Sequence, residues 1–155
     1  MGGPAGDSAD NERAGAGDLG DLLSELRILL PGAQTLTAFL IILPFNGGFA
    51  QIRAEEKYVY VATFLCALVS LVLFAAPAAQ HRLQRPLLDR ERFKLRANRL
   101  VVAGLLFLSL ALALATQLVL DEVLRLAWLS WAAAGGVALL IGALWWRVPI
   151  RARGS

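Results

Sequence analysis

One cysteine and one histidine serve all 155 residues, and long tracts of the chain carry no charge at all. The lone Cys66 excludes a disulfide framework within one chain, and inside an apolar run it reads as a small packing residue. His81 has neither a second histidine nor a cysteine pair to complete a coordination shell, so no metal and no cofactor is expected. No nucleophile–base pair and no phosphate-binding loop is visible, so the chain does not read as an enzyme. A basic, apolar leader is also missing. The opening MGGPAGDSADNERAGAGDLG is acidic and rich in Gly and Ala, which reads as a disordered tail over residues 1–19 and not as a signal peptide.

Charged residues make up 17% of the chain and hydrophobic ones 57%, more apolar surface than a soluble domain of this size could hide. Residues 58–79, 100–120 and 126–146 contain no Asp, Glu, Lys, Arg or His. Each reaches the ~20 residues that cross ~30 Å of hydrocarbon as a helix. A further run over about 31–49 makes a fourth span. The expected fold is an all-α membrane protein, with four transmembrane helices in a domain of residues 20–147 and a short basic tail over 148–155. Residues 18–30 (DLGDLLSELRILL) group Leu22, Leu23, Leu26, Leu29 and Leu30 on one side. Asp21, Ser24 and Glu25 lie on the other, so a short amphipathic interfacial helix is expected before the first span. Pro31 removes a backbone donor and Gly32 loosens the same place, so a bend is expected between that helix and the span.

Basic residues set the orientation. The connection between the second and third spans holds Arg82, Arg85, Arg90, Arg92, Lys94, Arg96 and Arg99, and the C-terminus adds Arg147, Arg151 and Arg153. The other two connections offer only Arg53, Lys57 and Arg125. Basic residues stay on the cytoplasmic side, so a multi-pass protein of the bacterial cytoplasmic membrane with both termini cytoplasmic is expected. Tyr58, Tyr60, Trp128, Trp131, Trp145 and Trp146 fall near the span ends, where amphipathic rings favour the water interface. The seven-residue basic cluster suits anionic lipid headgroups, at ~1 kcal/mol per basic residue near the surface. It lies so close to the membrane on both sides that nucleic acid is not an expected partner.

Polar residues within the spans form short stripes. Gln34 and Thr37 share the first span, Thr63 and Ser70 the second, and Ser109, Thr116 and Gln117 the third. Facing one another, they would line a narrow polar path. Alternatively they make interhelical hydrogen bonds worth ~0.6 kcal/mol each, which hold a bundle together without moving anything. Gln34 stands out, because a carboxamide left unpaired in hydrocarbon costs several kcal/mol. Glu25 and His81, near the cytoplasmic ends of spans, are the candidates for responding to protons or ions. In the fourth span Ala132 and Gly136, like Ala138 and Gly142, are four apart. That spacing lets helices approach closely, within the bundle or between subunits of a homo-oligomer.

Glu25-Leu26-Arg27, Gly32-Ala33-Gln34, Phe39-Leu40, Pro44-Phe45, Ala75-Ala76-Pro77 and His81-Arg82 together resemble the pattern of an uncharacterised actinobacterial family of small membrane proteins. The resemblance covers roughly residues 20–120 and implies a four-span membrane protein. Some members of that family carry the automatic name sodium:proton antiporter. Such an exchanger normally needs an ionisable carboxylate at membrane depth, and this sequence places none there. Two readings therefore stand: a small ion transporter or channel, and a non-transporting accessory or structural subunit that binds anionic lipid or a partner membrane protein.

Overall fold

A computed structural model describes residues 4–47, 49, 52–83 and 90–147. It is all-α, with no strand among the described residues. The helices are α1 (Pro4–Ile42), α2 (Ala54–Leu83), α3 (Arg90–Leu124) and α4 (Ala127–Ile141), and α4 runs on into a π-helical stretch, Gly142–Arg147. Four stretches are long and apolar enough to cross a membrane: Ser24–Phe45, Ala54–Gln80, Leu95–Leu124 and Ala127–Trp145. They fit a multi-pass membrane protein; the first begins at Ser24 and takes in Glu25 and Arg27, where a start near residue 31 was expected.

The largest interface is between α2 and α3, which run antiparallel. On its other side α3 carries α4, and α1 packs mainly on α2 and touches α3. Among the described residues α1 and α4 make no contact, so the helices form an open row flanked by α1 and α4. Close approach of α2 and α3 follows from small residues on their shared face. Ala67 and Ala111 meet in one apolar cluster with Leu40 and Tyr60. Toward the other end Phe74 and Val101 pack with Leu26, Ala33 and Leu108. Within this second cluster Gly104 leaves room for the Phe74 ring: a Cβ there would sit 2.6 Å from the ring edge.

Pro4–Ile42 is one helix that runs through Pro31, so the stretch expected as a separate interfacial helix is continuous with the first span. At 1.5 Å per residue its 39 residues measure roughly 58 Å, about twice the hydrocarbon thickness. The packing explains the difference at the entry. Leu26 is 2% exposed, and Leu29 and Leu30 pack against the same cluster, so these three leucines face α2 and α3. Pro31 and Gly32 lie on the exposed side, and Thr35 Oγ1 donates to the Pro31 carbonyl at 2.8 Å.

Candidate functional site

Membrane helices must satisfy every backbone group internally, and the end of α1 tests that rule. The Leu40 carbonyl would normally accept from the N–H of residue 44, but Pro44 has none. The Tyr60 hydroxyl donates to Leu40 O at 2.7 Å instead. Tyr60 is itself held edge-on by Phe49, with ring centroids 4.9 Å apart. Pro44 therefore creates an acceptor that ties α1 to α2.

The interior hydroxyls follow a single pattern. Thr37 Oγ1 donates to Ala33 O at 2.7 Å, Thr63 to Val59 O at 2.7 Å and Ser70 Oγ to Ala67 O at 2.8 Å. Ser109 donates to Leu105 O at 2.7 Å and Thr116 to Leu112 O at 2.8 Å. Every one of these donors is used by its own helix, the local back-bonding that makes Ser and Thr inexpensive in a membrane span. Thr37, Thr63, Ser70 and Gln117 are buried between helices, and Ser109 and Thr116 are partly so. Gln34, by contrast, is on the exposed side of α1. The structure thus buries Thr37, Thr63, Ser70 and Gln117 and leaves Gln34 exposed.

A second polar group, not assembled from the sequence, closes the end of the bundle where α2 begins. Arg53 sits just before α2, and its backbone N–H reaches Glu56 Oε2 at 3.3 Å. This is the carboxylate half of a capping box, three residues on. The guanidinium grips the same side chain, Nε to Oε1 at 2.8 Å, and Nη2 reaches Asp121 Oδ2 on α3 at 2.7 Å. Asp121 is 4% exposed, and Ser130 Oγ on α4 approaches its Oδ1 at 3.4 Å. One turn before Asp121, Gln117 is 3% exposed, and its Oε1 has no hydrogen-bond partner. Glu56 first and Asp121 second raise the Arg53 pKa above its ordinary value, so the guanidinium stays charged at any accessible pH. The available signal was Glu56 three residues after Arg53. The Asp121 partnership, 68 residues away, has no local signature.

The turn from α3 to α4 is tight. Arg125 has φ 52°, and its N–H bonds to Asp121 O at 2.9 Å, a left-handed helix cap in a place glycine usually fills. That turn brings Ser130 back over Asp121. It also fixes the face α4 presents, which is Ser130, Ala134 and Ile141. The expected small-residue packing within the bundle therefore does not occur on this helix. Ala132, Gly136 and Ala138 are exposed and Gly142 is half-buried, with open space around both glycines. The close approach sits at Gly104 on α3 instead.

At the opposite end Arg27, Arg82, Arg96 and Arg99 are exposed on three helices. Glu25 is exposed beside Arg27. Arg92 is exposed as well and has a partner within the chain. Phe93 and Ala97 are buried on the inner face of α3, which turns the arginines outward. Arg85 and the C-terminal tail from residue 148 lie outside the described residues, as do the side chains of His81, Arg90 and Lys94. Among the described residues no group of three or more His, Cys, Asp or Glu side chains is placed to hold a metal.

No curated protein and no solved structure matches the chain. A family model does match, over residues 9–149, which takes in all four spans, the exposed arginines and the Arg53–Asp121 group. The chain belongs to that family, a family of unknown function designated DUF6328.

Proposed function

We propose that this protein is a non-transporting structural or accessory subunit of the membrane that gathers anionic lipid headgroups at its cytoplasmic end. The observation that carries the reading is the outward display of Arg27, Arg82, Arg96 and Arg99 at one end of three adjacent helices. At the other end basic side chains are matched by acids: Arg53 is committed to Glu56 and Asp121, and Glu55 and Glu122 lie exposed near Lys57 and Arg125. Arg82, Arg96 and Arg99 replaced together by Gln should lose about 1 kcal/mol of lipid attraction per residue. Enrichment of fluorescent phosphatidylglycerol around protein in mixed liposomes reads this. Equal enrichment for both proteins would sink the reading.

A transport reading has one observation in its favour, the unpartnered Gln117 carbonyl beside buried Asp121. Proteoliposomes with imposed sodium, potassium and proton gradients decide between the two. The structural reading expects no protein-dependent flux from folded, inserted protein. Flux that Gln117→Leu abolishes would establish the transport reading instead.

A further inference from the structure

On α3, Asp121, Gln117, Ala113, Leu110, Leu106 and Arg99 fall within about 80° of one another at 100° per residue, so they share one face. The part of that face nearest the Arg53–Asp121 bridge is covered. Asp121, Gln117 and Ala113 are buried, and α4 packs on α3 through its own buried face of Ser130, Ala134 and Ile141. Further along, the cover ends. Leu110 is 49% exposed and Leu106 56%, although both continue the buried face. The Ser130–Asp121 contact sets the register of the two antiparallel helices, and it places Ile141 level with Leu110. There α4 changes too: Ile141 is buried, Trp145 is exposed, and the backbone turns π-helical from Gly142. The two helices therefore part beyond Leu110 and Ile141. They leave an apolar cleft that opens toward the arginine end.

We propose that this cleft holds one acyl chain of an anionic phospholipid, with the lipid phosphate bound between Arg96 and Arg99. Length and charge together select that occupant. From Leu110 to Arg99 the cleft measures roughly 16 Å along α3, about the thickness of one hydrocarbon leaflet. Val102 adds a further exposed apolar side chain along it. At the mouth Arg96 and Arg99 stand three residues apart, a spacing that sets Cβ atoms about 5–6 Å apart and makes like charges repel. Both are exposed, and among the described residues neither has a salt bridge. A phosphate between them relieves that repulsion with charge-assisted hydrogen bonds. Free phosphate would satisfy the arginines alone, whereas a lipid satisfies the arginines and fills the cleft. The inference rests on the lipid reading and deepens it, from a general attraction to one lipid seated on two of the four exposed arginines.

The test uses the full chain in liposomes that contain phosphatidylglycerol. Phosphatidylglycerol with a diazirine midway along one acyl chain should label residues 102–110 and 141–145 on illumination, well above the exposed side of α1. Native mass spectrometry should show one retained phosphatidylglycerol. Its affinity should fall about 30-fold in Arg96→Gln/Arg99→Gln, at ~1 kcal/mol per residue, and should hold in Arg27→Gln/Arg82→Gln. Leu106→Trp fills the cleft with both arginines intact, so it should lose the retained lipid, and circular dichroism checks its fold. Labelling spread evenly over the helices, equal losses in the two arginine pairs, or a lipid retained by folded Leu106→Trp would each overturn the proposal. So would inorganic phosphate bound as tightly as the lipid. Failure here is distinct from failure of the lipid reading. Headgroup enrichment that persists without cleft labelling sinks the seated lipid alone, whereas enrichment unchanged by the triple arginine variant sinks the lipid reading itself.

Discussion

Tyr60 and Pro44 show how a single residue's missing atom sets a tertiary contact. Pro44 deprives Leu40 O of its helical donor, and the Tyr60 hydroxyl supplies a replacement at 2.7 Å. Tyr60→Phe should therefore cost about 1–2 kcal/mol, more than the ~0.6 kcal/mol average for a hydrogen bond between membrane helices, because the carbonyl is left with no partner. SDS titration in mixed micelles, followed by tryptophan fluorescence, measures it. A second substitution discriminates the cause. With Pro44→Ala the N–H returns, so Tyr60→Phe in that background should cost distinctly less, and equal costs in both backgrounds would refute the account.

At the level of helices, the α2–α3 interface is set by where side chains are absent. A Cβ on Gly104 would lie 2.6 Å from Phe74 Cε1, and Phe74 is fully buried, so its ring has no free space to enter. Gly104→Ala is expected to destabilise the bundle by about 1–3 kcal/mol through overpacking. The same titration reads it, and Phe74→Leu combined with Gly104→Ala should recover part of the loss. On α4 the glycines Gly135, Gly136 and Gly142 have open space around them, so alanine there should leave the monomer's stability unchanged. Small residues serve close packing only where the neighbouring helix is present.

The whole molecule is an open row of four helices whose two ends differ in charge. Where α2 starts, Arg53 joins the start of α2 to the end of α3, and Asp121 passes the link to Ser130 on α4. Arg53→Gln and Asp121→Asn should each lower the midpoint of unfolding. Together they should cost less than the two separately, because either one alone leaves the other partner unsatisfied. Strict additivity in that cycle would show that the bridge couples nothing. At the other end Arg27, Arg82, Arg96 and Arg99 are turned outward.

Span number could be read directly, since a helix in lipid must be long, apolar and free of unpaired charge wherever it sits. The excess of arginine in one connection was equally plain. The course of α1 was not. Its leucines suit a membrane surface or a helix interface equally well, and only the presence of α2 and α3 beside Leu26 selects the second. Polar stripes in the second and third spans were visible at helical spacing. Which face they turn inward depends on register between helices, and so Thr63 and Gln117 went inside while Gln34 stayed out. The small-residue pattern of α4 promised close contact, but the tight turn at Arg125 rotated Ser130 and Ala134 inward instead. Arg53, Glu56, Asp121 and Ser130 are brought together by three helices, and nothing local to any of them announces it. By itself the sequence determined a four-span, all-α membrane chain with one basic end, because hydrocarbon length and charge cost act on each segment alone. Tertiary structure decided which polar groups satisfy one another and which is left facing lipid, because those outcomes depend on the rotation and register of neighbouring helices.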